Sequence, residues 1–282
     1  MKRLTFFPMQ HLRLGGAGAT TFALLGAAGL WLFASKAALA QNSVQRDQQA
    51  LAILAQTIAA AGGRDLIASL QDVTETGTAT FHLEQEVTGS VSVKERGLHQ
   101  IKVDADLPEG RRSTVVNGAG GSLTEPDGQF RPINRQICAD LGSLTFPYLP
   151  VLEAIDDSSI TVIDGGLVTY NGASVHKIRI EKAYTSQHDP IGNRGALEGR
   201  DIYIDPSALM VVSISDQIHF GRQPENGIFH EMLFSNYRIQ NGVPMPMTIS
   251  ERMQGVTSVT LQLDHVAFNS GLTDADFRHE KN

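Results

Sequence analysis

Cysteine is almost absent from this chain: Cys138 is the only one among 282 residues. A single cysteine cannot form a disulfide within the chain, so a folded core must supply the stability. Catalytic signatures are missing as well. The sequence has no Gly-x-Ser-x-Gly motif, and no second histidine follows His230-Glu231 at the spacing of a zinc-protease helix. Because the histidines after position 40 are scattered, we expect no metal site, no cofactor and no enzymatic activity.

Positive charge is scarce outside the first 40 residues. Four of the 23 Lys and Arg residues lie in that segment and none of the 30 Asp and Glu residues does, so 19 basic residues face 30 acidic ones, a net charge of −11. This charge argues against a nucleic-acid partner and against purely electrostatic binding to anionic lipid. Residues 41–282 contain no Pro/Ser-rich linker and no internal repeat. We therefore predict a single domain over 41–282, and a monomer.

Residues 1–40 are typical of a secretory signal peptide. A basic start at Lys2-Arg3 precedes an apolar stretch over residues 14–33, and a small-x-small sequence follows at 38–40. We expect cleavage after Ala40 and a protein that folds in the periplasm. The alternative is an uncleaved membrane anchor, because the apolar stretch is about as long as the ~17–25 residues of a spanning helix.

The mature chain is predicted to begin with a helix over residues 44–61, followed by a shorter one over 64–70. Apolar side chains recur there at intervals of three and four, at Leu51, Leu54 and Ile58. The pair Gly62-Gly63 is a typical helix end.

From Val73 onward the apolar period changes to two, which is typical of strands with one apolar face. Asn171-Gly172 and Asn241-Gly242 are strong hairpin signals between such runs. The alternation slips by one residue within 232–239 and again within 261–268, as a β-bulge would cause, and bulges bend a sheet. We predict a mainly β protein with a large, strongly curved antiparallel sheet of about ten strands.

One apolar segment interrupts the strands, over residues 135–158. Phe146, Leu149 and Leu152 recur at intervals of three, and Pro150 suits the first turn of a helix. We predict a short apolar helix here. Residues 184–200 are polar and predict a surface loop.

A methionine-rich strand is the most distinctive feature of the C-terminal half. One face of it carries Val243, Met245, Met247, Ile249 and Met253. Prolines at 244 and 246 predict an edge or bulged position, where this face would be incompletely covered. Thioether side chains are unbranched and suit surfaces that accept variable apolar partners. An ordinary packed core is the competing interpretation of the same stripe.

Short motifs in the C-terminal half resemble the lipoprotein-carrier superfamily, the LolA/LolB-like proteins that sort outer-membrane lipoproteins. They lie, in order, at residues 202–206 (IYIDP), 234–238 (FSNYR), 241–244 (NGVP) and 269–277 (NSGLTDADF). The resemblance implies a half-open β-barrel with short lid helices on an apolar concave side. It also implies a non-catalytic carrier of acyl chains from lipids or lipoproteins, with transient contacts to a membrane or to lipoprotein machinery.

We therefore predict that acyl chains bind between a lid and the methionine-rich strand. The predicted ligand-binding residues are Phe146, Leu149, Leu152, Met245, Met247, Ile249 and Met253. One alternative is a sensor domain of the same fold that binds a protein partner. A second is an enzyme acting on an apolar substrate.

Overall fold

A single antiparallel sheet of thirteen strands dominates the computed structural model, which describes residues 44–82, 84–118, 120–133, 145–182, 199–219 and 227–278. The strands are β1 Asp72–Phe81, β2 Val87–Arg96, β3 Gln100–Leu107, β4 Gly110–Asn117, β5 Gly120–Thr124, β6 Phe130–Ile133, β7 Ile160–Tyr170, β8 Ala173–Lys182, β9 Arg200–Ile204, β10 Val211–His219, β11 Gly227–Gln240, β12 Val243–Met253 and β13 Val256–Phe268. Their order in the sheet is β6-β5-β4-β3-β2-β1-β13-β12-β11-β10-β9-β8-β7, so β6 and β7 are edges and the sheet does not close.

The mainly β, half-open architecture is as predicted, but the number of strands is higher than the predicted ten. β5, β6 and β9 have five residues or fewer. Runs this short contain too few residues to display a clear alternation.

The described helices are α1 Gln48–Ala60, α2 Arg64–Ser69, α3 Tyr148–Asp156 and a 3₁₀ helix at Asp274–Phe277. The prediction that α1 begins at residue 44 is wrong. Asp47 caps the helix, because its side chain accepts hydrogen bonds from the backbone N–H groups of Gln49 and Ala50. The residues before it pair with the β7 edge instead: the Asp47 N–H donates to the Val162 carbonyl at 2.9 Å, and the Val162 N–H donates to the Gln45 carbonyl at 2.7 Å.

Both predicted phase slips are bulges or local irregularities in the structure. On β13, Thr76 and Gly77 of β1 face His265 and Leu263, so Asp264 is an extra residue without a partner on β1. On β11, Asn236 takes a left-handed conformation with φ 55°, and the next residue, Tyr237, contacts Tyr148.

The sheet is curved enough to bring distant strands together. Arg112 on β4 and Glu251 on β12 are separated in the sheet by four other strands, yet the Glu251 charge acts directly on the Arg112 guanidinium. The guanidinium carbon also lies 5.4 Å from the ring centroid of Phe81 on β1.

Two sequence predictions concern segments outside the described residues: the cleavage site at Ala40 and nearly all of the loop at 184–200. Within the described ranges, every helix is too short or too polar to span a bilayer.

Candidate ligand-binding site

The methionine-rich face of β12 is the face that the helices cover. Ile249 pairs with Leu261 on β13, and cross-strand partners share a face. Along β13 that face continues through Leu263 and, beyond the bulge, through Val266 and Phe268. The Phe268 ring packs against Phe146, just before α3, with centroids 6.0 Å apart.

The predicted binding residues are mostly buried. Met245, Met247, Ile249 and Phe146 are at most 1% exposed, and Leu152 is 8% exposed. Leu149 and Met253 are half-buried. The predicted binding residues of the apolar segment and those of β12 are linked through the strands that flank β12. Phe146 contacts β13, and Tyr148 hydrogen-bonds Tyr237 on β11.

β12 and β13 diverge where the first two methionines lie. The ladder between them runs from Met253 paired with Val256 to Thr248 paired with Gln262. Beyond this point residues 243–246 pair with β11, while Leu263 and residues 265–268 pair with β1. The two prolines lie in this one-sided stretch, which explains their presence in an interior strand, since proline lacks the N–H that a second neighbour would require. The predicted edge position is therefore wrong for the strand as a whole and right for its first five residues.

α3 lies on the helix-covered side of the sheet, and its first residue, Tyr148, contacts β11 through Tyr237. Pro150 lies in the first turn of this helix, as predicted. The Tyr148 hydroxyl donates to the thioether sulfur of Met210 at 3.3 Å, and its ring packs edge-on against Phe146. Burial raises the pKa of Tyr148 well above its ordinary value, so the hydroxyl stays neutral.

The other end of α3 is held by Arg46, a residue that the sequence did not single out. Its guanidinium donates to the carbonyls of Ala154, Ile155, Asp157 and Ile160 at 2.7–3.0 Å. The last carbonyls of a helix have no intrahelical donor, and a cation there also complements the helix dipole. More than 100 residues separate Arg46 from this helix in sequence, so no local pattern could have revealed the contact.

Two carboxyl groups lie on the helix-covered face of the sheet, close to Thr145. This residue begins the lid segment, residues 145–156, which ends with α3. Glu75 on β1 pairs with Val266 and Val93, and Glu95 on β2 pairs with Val73, so both occupy apolar positions of the alternation. Glu95 accepts a hydrogen bond from the Thr145 N–H at 2.7 Å. Glu75 is fully buried, and neither of its oxygens has a hydrogen-bond partner among the described residues.

Burial, together with the nearby charge of Glu95, raises the pKa of Glu75 well above its ordinary value, although the Thr145 hydroxyl acts weakly in the opposite sense. The surroundings of Glu75 therefore favour its neutral, protonated form. In the sequence, this pair is marked by glutamate at strand positions where the alternation would place an apolar residue.

A second buried polar cluster centres on His230. Its Nδ1 lies 2.9 Å from Asp216, and its Nε2 lies 3.4 Å from Glu251. Burial disfavours the imidazolium, but the two carboxylates outweigh it and raise the pKa of His230 to about 10. Burial also opposes ionisation of Glu251, but the adjacent His230 imidazolium and the hydrogen bond from Ser258 overcome this effect, so the pKa of Glu251 is lowered.

This cluster is not arranged as a hydrolase triad. Ser258 donates to Glu251 at 2.6 Å rather than to the imidazole, and both histidine nitrogens face carboxylates. The hydroxyl therefore has no neutral base to accept its proton. Across the described ranges, no three His, Cys, Asp or Glu side chains are placed to hold a metal ion.

The opposite, convex face carries an open groove of about 570 Å³ beneath the β7–β8 hairpin. Its lining combines polar residues, which include His82, Asn171 and Arg252, with apolar ones such as Val175 and Leu233.

No family model and no curated protein matches this chain in sequence. In structure it is similar to a DUF1329 family protein from Desulfovibrio piger at 10% identity and a TM-score of 0.50, over 83% of this chain and 98% of that one. It is also similar to an outer-membrane lipoprotein-sorting protein domain from Vibrio parahaemolyticus (12% identity, TM-score 0.47, 80% and 95% covered) and to a LolA superfamily protein from Nitrosomonas europaea (10%, 0.48, 80% and 96%). At these identities the likeness concerns the fold alone.

Proposed function

We propose that this protein is a periplasmic, non-catalytic carrier that binds acyl chains on the concave face, between β12 and the lid helix α3. The observation that carries the proposal is the position of Met245 and Met247. They lie where β12 leaves β13, on the face that α3 covers. Unbranched thioether side chains at a discontinuity of the sheet can repack around a chain of variable shape.

The burial of these side chains fits an empty, closed carrier. A soluble protein keeps contiguous exposed apolar patches small. The exposed large apolar residues among those described are Val44, Phe130, Leu167, Ile239 and Val256, and they come from different elements. A lid that moves would supply apolar surface only when a ligand is present.

The lid is attached at its ends by polar contacts. Tyr148 hydrogen-bonds Tyr237 at one end and Arg46 binds the helix carbonyls at the other. Hydrogen bonds can break and re-form without repacking a core, so this attachment suits a reversible lid. The sequence motifs that resemble the lipoprotein-carrier superfamily support the same choice.

Native mass spectrometry of the protein purified from its own envelope tests this proposal. We expect a population whose added mass disappears after extraction with organic solvent and is recovered in the extract as acyl-containing lipid or lipopeptide. A protein that carries no such mass, and that takes up none when mixed with its own envelope lipids, would contradict the proposal.

A second candidate is a sensor that binds a protein partner through the convex face. The observation that favours it is the groove lined in part by Arg252, Asn171 and His82, which lies opposite the proposed ligand site. Arg252→Glu tests it, because a reversed charge in the groove should release a partner that co-purifies in stoichiometric amount with the wild type. Recovery of that partner in equal amount with Arg252→Glu would argue against this candidate.

A further inference from the structure

The placement of Glu75 is unfavourable for folding. A buried polar group without a hydrogen bond destabilises a protein, and a carboxyl beside a second carboxyl does so more strongly. Glu75 is 0% exposed, both of its oxygens are unpartnered among the described residues, and Glu95 is its charged neighbour. Valine flanks it on both adjacent strands, at positions 93 and 266. An apolar side chain would therefore fit this position better for stability alone.

The lid segment already shows what kind of group the pair can bind. Glu95 accepts the backbone N–H of Thr145 at 2.7 Å, and Thr145 directly precedes Phe146. An amide N–H is thus bound at the carboxyl pair when the lid is closed. Withdrawal of the segment that begins at Thr145 would leave Glu95 with an acceptor oxygen and Glu75 with a hydroxyl donor, side by side on the concave face.

We propose that Glu75 and Glu95 bind the polar group of the acyl ligand, and that they select an uncharged group that both donates and accepts hydrogen bonds, such as a carboxamide. This inference rests on the proposed carrier function and adds the class of headgroup to it. The ligand carbonyl accepts from the Glu75 carboxylic acid, and the ligand N–H donates to Glu95 in place of Thr145.

Charged headgroups fit the pair less well. An anionic group would meet the Glu95 carboxylate in a site without water, where like charges repel strongly. A cationic group can pair with Glu95, but it must leave water for a fully buried site, where the cost of its desolvation offsets the attraction between the two charges. Of the described neighbours that face Glu75, Val93 from β2 and Val266 from β13 carry no charge, and Thr145 from the lid segment offers only a hydroxyl.

Three dansyl-labelled probes with the same chain length test this proposal: undecanamide, undecanoic acid and undecylamine. Fluorescence titration of the wild type at pH 8 should show the amide bound about tenfold more tightly than the acid or the amine, which is the effect of one charge-assisted hydrogen bond. Glu75→Leu should reduce this preference to within about twofold, while the acid probe still binds. Glu75→Gln should retain the preference, because its amide also donates and accepts. Glu109→Leu, in the exposed β3–β4 turn, is the control and should behave as the wild type.

The outcomes separate this inference from the carrier function. Equal binding of the three probes, tightest binding of the amine, or a preference that survives Glu75→Leu would overturn the headgroup assignment and leave the carrier function standing. If no probe binds at all, both are wrong. Thermal unfolding of each variant shows that it is folded, and removal of the buried carboxyl should not lower the melting temperature.

Discussion

Replacement of Arg46 by glutamine should release the C-terminal end of the lid helix. The guanidinium donates to four carbonyls at 2.7–3.0 Å. A hydrogen bond from a charged group contributes about 1.5–3 kcal/mol, and the helix dipole adds about 0.3–1 kcal/mol. Because the four bonds share one side chain and water can reach part of the vacated site, they do not add. We expect a loss of about 2–4 kcal/mol in the free energy of unfolding.

Arg64→Gln is the matched control. Arg64 also lies near this end of α3, where it forms a salt bridge with Asp156 at 2.5 Å, but the two side chains are 58% and 37% exposed. An exposed pair of this kind contributes about 0–1 kcal/mol. The comparison therefore separates a specific anchor from the general loss of a positive charge.

Urea unfolding gives the free energies, and hydrogen exchange of the amides in 148–156 reports the local effect. Arg46→Gln should speed exchange in α3 well beyond the change expected from global stability, and Arg46→Lys should lie between it and the wild type, since lysine cannot reach both groups of carbonyls. The reasoning is refuted if Arg46→Gln costs no more than Arg64→Gln, or if α3 exchanges as slowly in the variant as in the wild type.

Three further predictions follow from buried charge and from the chain start. His230→Gln should lower the free energy of unfolding most at pH 6 and least at pH 10. The pKa of His230 is raised to about 10 in the fold, so the charged imidazole stabilises the fold fully below about pH 6.5 and loses this effect as pH rises through 10. A loss that is the same at both pH values would contradict this. Glu75→Gln should leave the free energy of unfolding nearly unchanged at pH 4 and raise it at pH 8. A carboxyl whose pKa is raised in the fold destabilises the fold increasingly as pH rises above the ordinary pKa. Urea titrations at the two pH values check the sign of the change in free energy. Envelope protein should begin at Gln41 and show no tryptophan fluorescence, since Trp31 is the only tryptophan; an N-terminal sequence that starts at Met1 would contradict cleavage.

Much of the sheet could be predicted because alternation is a local property. The bulge at Asp264 and the left-handed residue Asn236 also appear in the sequence as slips in a long alternating run. Short strands show no such alternation, and for this reason the predicted number of strands was too low by β5, β6 and β9. The start of α1 was misplaced because the residues before Asp47 pair with β7, a contact between distant parts of the chain.

The candidate site was predictable on its apolar side only. The stripe of β12 and the apolar helix are both periodic in sequence. The Phe146 ring, just before this helix, packs against Phe268. The polar parts depend on contacts that span the chain: Arg46, which precedes α1, reaches α3, and Glu95 meets Thr145 across 50 positions. The proline argument failed for the whole strand because β12 has a neighbour on each side along only part of its length.

Met247→Trp tests the central claim most directly, with Met232→Trp as its control. Met247 lies at the divergence of β12 and β13, whereas Met232 lies on the same face but at a paired position of β11. If the stripe forms the ligand site, Met247→Trp should weaken binding of a fluorescent fatty acid at least about tenfold and leave the melting temperature almost unchanged, while Met232→Trp overpacks the core and destabilises by about 1–3 kcal/mol. Unchanged probe binding by Met247→Trp, together with a clearly lowered melting temperature, would mean that the stripe is packed core and would contradict the carrier account.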